Sequence, residues 1–308
     1  MKPLTSKQIV LLNALTVAVG VVPLLLWMLP LTCPVIPKDG LPLHSMSLFE
    51  QWLAVIVGFG VKPVYVVLSL VLIIWLWRQR ARDLAMLRWG LIWFWLGENA
   101  CTVNFVFFRG DCDFWEYAHN FGMAAGFAMI TYALLEGFDC RVIKFSPQKE
   151  RCAALSLCGA CYKHTDVPCG LKRLFTALIP ALIVLALIPL SAGFMLTSYN
   201  TNILGSPYNY SHLVSAQVFE LRFCPTLAIA MLTASWLVLL FKRDEPVALA
   251  KALFAAGVGP LSFGLLRLFF VFTFNENLVW FETWEEITEL IFVVAVAWGF
   301  GFSENVCL

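Results

Sequence analysis

Apolar residues in this chain come in runs of helix length, and that one feature leaves few folds open. Runs at 9–29, 52–77, 84–107, 114–135, 174–196, 213–241, 247–274 and 278–302 are each interrupted by few charges. About 20 apolar residues in an α-helix cross a bilayer core of ~30 Å. Inside hydrocarbon each backbone N–H and C=O has to be satisfied within its own segment, which a helix does and an open strand does not. A transmembrane barrel would instead alternate apolar and polar residues over ~10-residue strands. Composition agrees: 60% of residues are hydrophobic and 13% charged, where soluble domains carry roughly 25% charged. The expectation is an all-α polytopic membrane protein with eight transmembrane helices in contact with a lipid bilayer.

The first run follows Lys2 and Lys7. It is longer than the apolar part of a secretory signal and no small-residue cleavage site follows it, so it reads as a retained helix. Orientation comes from the short connectors, because Lys and Arg stay on the cytoplasmic side. Arg78, Arg80 and Arg82 follow the second run, Arg141, Lys144, Lys149, Arg151, Lys163, Lys172 and Arg173 the fourth, and Lys242 and Arg243 the sixth. All fall on one side, so both termini are expected in the cytoplasm. The net charge of +1 gives no general pull toward nucleic acid.

This divides the chain into a first four-helix half (1–138), a cytoplasmic loop (139–172) and a second four-helix half (173–308). Sliding one half over the other aligns Pro63 with Pro225, Arg78/Arg80 with Lys242/Arg243, and Glu116 with Glu282, with several gaps. The halves can therefore be read as a repeat. With four spans each, the copies would share one orientation about an axis along the membrane normal.

The loop holds Cys140, Cys152, Cys158, Cys161 and Cys169, half of the chain's ten cysteines, together with His164. In a reducing cytosol such crowding points to metal ligation rather than disulfides. Cys158-Gly-Ala-Cys161 can place two thiolates on one ion, and Cys169 with either Cys152 or His164 completes a tetrahedral set. Zinc accepts both combinations, whereas an iron–sulfur cluster wants four cysteines. Free or lipid-modified thiols are the plainer reading. Cys33 and Cys112, on the other side, can pair if that compartment is oxidising.

Charges inside spans are costly, and each is a functional candidate. Glu98 lies ~22 Å from the cytoplasmic surface, counting from Asp83 at ~1.5 Å per residue. Counting from the outer side, His119, Glu220, Glu282, Glu285 and Glu289 reach similar depths. Glu116 and His119 share a helical face, and Glu282, Glu285, Glu286 and Glu289 form a carboxylate stripe. Arg267 reaches the same layer as a counter-charge for Glu98, as Arg222 does for Glu220. The site residues expected are thus Glu98, Glu116, His119, Glu282, Glu285 and Arg267.

Three chemistries suit such a layer. Carboxylates with one imidazole can bind a divalent metal or a di-iron centre. They can accept protons from a quinol. They can also line a cation or solute pathway. The structural alternative makes Glu98 and Arg267 a buried pair and leaves the outermost glutamates in water. Four histidines, only one within a span, exclude a bis-histidine diheme cytochrome, and no Walker A, H-E-x-x-H or G-x-S-x-G sequence occurs. Two functions remain. One is an electron-transfer or quinol-reactive subunit working with redox partner subunits. The other is a solute or ion transporter with its site between the halves and a structural zinc loop.

Overall fold

The computed structural model describes residues 41–108, 113–137, 170–191, 198–211, 215–241, 246–274 and 277–301. The run at 9–29, the loop ligands Cys152, Cys158, Cys161, His164 and Cys169, and the Cys33 and Cys112 pair lie outside the described residues.

Within them the chain is mostly helical. The helices are α1 (Leu48–Leu76), α2 (Arg82–Phe108), α3 (Asp113–Gly137), α4 (Gly170–Ser191), α5 (Ser215–Phe241), α6 (Pro246–Thr273) and α7 (Leu278–Gly301). Each coincides with one of the expected apolar runs. Four stretches, Leu48–Leu76, Arg82–Phe108, Glu220–Leu240 and Leu249–Thr273, are long and apolar enough to cross a membrane. Large apolar side chains on their outer faces, such as Phe59, Val67 and Ile74 on α1 and Leu266, Phe269 and Phe272 on α6, are exposed. In water such faces would be a liability, and against lipid tails they are not. These features mark a membrane protein.

Helix packing rests on small residues, as it must where lipid supplies no hydrophobic drive between helices. Gly122 and Gly126 on α3 are spaced as G-x-x-x-G and lie against Gly97 and Gly90 of α2. A Cβ on Gly122 would fall 2.5 Å from the Gly97 Cα, and one on Gly90 would fall 2.6 Å from the Ile130 side chain. On its other side α3 meets α6, where a Cβ on Gly259 would lie 2.5 Å from the Phe127 carbonyl oxygen. α3 is therefore the central helix, with α2 on one flank and α6 on the other.

The helices a repeat would equate are packed differently. α2 and α3 touch along their length, whereas α6 and α7 meet at few places.

The stretch before α5, which lies between two of the apolar runs, is a β-hairpin: β1 (Ser198–Ile203) pairs antiparallel with β2 (Ser206–Ser211). Its two-residue turn, Leu204-Gly205, has positive φ at both positions (48° and 85°), the form that matches strand twist. The chain ahead of α1 runs beside β1. The Asn200 amide donates to the Pro42 carbonyl (2.9 Å), the His44 amide to the Asn200 carbonyl (2.8 Å), and the Thr201 hydroxyl to the His44 carbonyl (2.8 Å). Tyr199, Met46, Leu278 and Val279 form a small core beneath the hairpin. Ser47 caps α1 reciprocally with Glu50, and Asn277 at the start of α7 donates to Glu50 Oε1 (2.7 Å). The hairpin thus ties α1 and α7 together at one end of the bundle, termed the hairpin end.

Candidate functional site

One turn of α1 positions the first element of the site. Pro63 has no N–H to donate one turn back, and the residues before it, Val57–Val61, form a π-helical turn in which the Lys62 amide donates to the Val57 carbonyl. Such single wide turns recur at functional sites. Beyond it, Lys62 and Tyr65 are three residues apart and face the bundle interior together.

Lys62 Nζ lies 2.7 Å from Glu98 Oε2 and donates to Glu286 Oε1 (3.0 Å) and to the Tyr65 hydroxyl (3.1 Å). The Tyr65 oxygen is also 2.7 Å from Glu98 Oε2 and 2.5 Å from Glu286 Oε2. A phenol has one proton to give. Both short contacts are hydrogen bonds only when one of the two carboxyls carries a proton of its own.

A second group of charges surrounds Arg267 on α6. Its Nε lies 2.8 Å from Glu220 Oε2, its Nη1 contacts Glu285, and its Nη2 is 3.4 Å from Glu289 Oε1. The guanidinium also sits 4.9 Å from the Phe263 ring centroid. One cation serves three carboxylates.

His119 stands between the two groups. Its Nδ1 is 3.0 Å from the Gly97 carbonyl oxygen, 22 residues away in sequence, an approach open because Gly97 has no side chain. A carbonyl only accepts, so Nδ1 carries a proton. The same nitrogen is 3.8 Å from Glu98 Oε1, and Nε2 is 3.9 Å from Glu220 Oε1. Toward the bundle centre the cluster rests on aromatic rings: Phe127 packs on Phe263 (4.9 Å between centroids) and Phe292 (4.8 Å), and Phe94 packs on both Phe127 and Phe292.

Burial makes the charge count matter. Glu98 is 0% exposed, Glu220 1%, Glu289 5%, His119 5% and Arg267 3%. Five carboxylates (Glu98, Glu220, Glu285, Glu286 and Glu289) face two cations, Lys62 and Arg267. Unpaired charge is expensive in such surroundings, so the excess has to be neutralised by protons or by a bound cation. Among the described residues, Glu98, Glu286 and Glu289 each bring one oxygen to within 4.8 Å of the others, as a metal ion would require.

Of the six site residues expected from sequence, Glu98, His119, Glu285 and Arg267 belong to this cluster. Glu116 lies one turn nearer the hairpin end, where Asn104 Nδ2 donates to its Oε1 (2.5 Å). Glu282 faces the hairpin: burial pushes the Tyr199 phenol up to about 12, and the Glu282 charge adds to the shift there and at Tyr208. The expected counter-charges are corrected. Glu98 is paired by Lys62, while Arg267 serves Glu220, Glu285 and Glu289. Arg222 directs its guanidinium to the carbonyls of Pro189 (2.5 Å) and Leu190 (2.6 Å) at the end of α4, groups a helix terminus leaves without intrahelical donors.

Lys62 and Tyr65 were absent from the expected set. The signal for Lys62 was present: a lone ammonium in an otherwise apolar run, held to the same rule as Glu98. Tyr65 offered none, since a phenol within a span reads equally well as packing. No protein-family model, curated protein or solved structure matches this chain.

Proposed function

We propose that the chain is an eight-span membrane transporter, with 9–29 as its first span and both termini in the cytoplasm, whose hairpin-end cluster exchanges protons or a cation with the outer side. The observation that carries the reading is the charge imbalance, five carboxylates, of which Glu98, Glu220 and Glu289 are buried, to two cations, which calls for a movable positive charge. The aromatic rings beneath the cluster separate it from the rest of the bundle, as a gate in an ion pathway would. In this reading the loop at 139–172 folds around a structural zinc held by Cys158, Cys161, Cys169 and either Cys152 or His164. The reading does not draw on the two halves being a repeat.

A quinol-reactive subunit is the second reading, favoured by the aromatic floor of Phe94, Phe127, Phe263 and Phe292 beside proton-accepting groups. It ranks lower because electrons released there would have ~22 Å to cross, counted along α2 from Glu98 to Asp83, before reaching an iron–sulfur centre in the loop or a redox partner subunit at that face.

The test is flux. In proteoliposomes loaded with a pH-sensitive dye, wild type is expected to dissipate an imposed proton or cation gradient, and Glu98→Gln and Glu220→Gln to lose that flux at least 100-fold while remaining folded. Gradient-independent quinol oxidation with no ion flux would transfer the cluster to the second reading. For the loop, elemental analysis is expected to find one zinc per chain in wild type and none in the Cys158→Ser, Cys161→Ser double variant.

A further inference from the structure

The three carboxylates that converge on one point, Glu98, Glu286 and Glu289, are already arranged around a positive charge. The Lys62 ammonium reaches Glu98 and Glu286 at 2.7 and 3.0 Å. It arrives on a flexible stem whose side chain is 15% exposed, from a helix turn that is π-wound and holds two glycines, Gly58 and Gly60, with open space around Gly58. The ammonium leaves part of the cluster without hydrogen bonds. Glu98 Oε1 and Glu289 Oε2 are both buried and neither has a hydrogen-bond donor. A carboxylate oxygen left so in a buried position is costly, and both belong to carboxylates of the converging group, so a positively charged ligand there would satisfy them.

We infer that Glu98, Glu286 and Glu289, with the Tyr65 hydroxyl as a fourth oxygen, form a binding site for a divalent cation, and that Lys62 is its tethered competitor. The chemistry of the donors fits. All are hard oxygens, which suit calcium- or manganese-type ions rather than softer ones. Oxygens 2.3–2.6 Å from a calcium ion span up to about 5 Å across the shell, and the three carboxylates offer oxygens within 4.8 Å of one another. The charges fit as well: once the ammonium has left, a divalent ion cancels two of the three negative charges and the proton shared by Glu98 and Glu286 cancels the third. Entry of the ion displaces the ammonium from Glu98 and Glu286, and the Lys62 stem can carry it toward the hairpin end, where long cationic side chains reach water.

This inference deepens the transport reading by naming the class of ion, and it rests on that reading only for the ion's passage, not for its binding. The probe is Mn²⁺, which thiolates in the loop bind poorly compared with zinc. Purified full-length protein is freed of metal with a chelator and titrated with Mn²⁺, with free ion read by electron paramagnetic resonance. Wild type is expected to bind one Mn²⁺, displaceable by Ca²⁺. Lys62→Met is expected to bind at least 10-fold more tightly, and Glu289→Gln at least 10-fold more weakly. A gain of affinity cannot come from misfolding, so Lys62→Met decides the matter even if the glutamate variants are unstable. Unchanged or weaker binding in Lys62→Met, or full binding in a folded Glu289→Gln, overturns the inference. Ion flux in a chain that binds no Mn²⁺ also overturns it while leaving the transport reading intact. Mn²⁺ bound as expected in a chain without flux supports the site and removes the transport reading instead.

Discussion

Two clusters of charge lie at opposite ends of the bundle, and they are balanced in opposite ways. Away from the hairpin, Glu136 on α3 takes Lys251 of α6 at 2.5 Å and lies 3.8 Å from Arg82 Nε of α2, while Arg82 Nη2 donates to the Tyr132 hydroxyl (2.6 Å). There two cations flank one carboxylate, and both reach water, with side chains 30% and 18% exposed. Both also lie beside the face of Tyr132. At the hairpin end five carboxylates share two cations, Lys62 at 15% exposure and Arg267 at 3%. The first arrangement clamps three helices. In the proposed reading the second takes the positive charge it lacks from outside, so the two ends would differ as a staple differs from a site.

The comparison can be broken by testing each end for what the other does. The largest expected effect on stability belongs to the staple. Glu136→Ala takes away the carboxylate that Arg82 and Lys251 share, which should cost about 3 kcal/mol, measured by unfolding in mixed detergent. If the hairpin-end variant Glu98→Gln cost more than Glu136→Ala, the division of labour would be reversed. Next comes the helix crossing that serves both ends. Gly122→Ala puts a methyl 2.5 Å from the Gly97 Cα and should cost about 2 kcal/mol as overpacking. It should lower flux as well, because parting α2 from α3 draws His119 away from the Gly97 carbonyl. The smallest effect is expected at Ser47→Ala, which removes the α1 cap and should cost about 1 kcal/mol. A larger loss of flux than of stability there would mean that the hairpin end governs access to the cluster.

Much of this was legible in the sequence, and the failures share a cause. The positions of α1 to α7 followed from apolar run length, because a bilayer fixes how long a helix has to be. That Glu98, His119, Glu220 and Arg267 lie in one layer followed from counting residues along each helix. Which charge meets which did not follow. Counting gives height along an axis but neither the direction a side chain faces nor the neighbouring helix, so Glu98 was matched with Arg267 at its own height when Lys62 of α1 reaches it. The glutamate stripe of α7 was seen as one surface, yet the structure divides it: Glu286 goes to Lys62, Glu285 to Arg267, Glu289 to both groups, and Glu282 to the hairpin. Arg82 looked like one more basic connector residue, and its pairing with Glu136 depends on α2, α3 and α6 meeting at one end. The hairpin was missed for another reason. Its strands are polar and short, and the Leu204-Gly205 turn has a leucine where Asn or Gly gives the usual signal.

In the proposed reading the hairpin-end charges act and the opposite ones hold. It is tested most directly by neutralising one ion pair at each end and measuring ion flux in proteoliposomes beside thermal stability. Removing both members of a buried pair is often close to neutral for folding, so activity alone separates the two ends. Glu136→Gln with Lys251→Met is expected to retain flux within about 3-fold, an estimate that follows from the small net worth of such pairs. Lys62→Met with Glu286→Gln is expected to leave the protein folded and to abolish flux. Equal flux in the two double variants would contradict the claim and make both clusters structural.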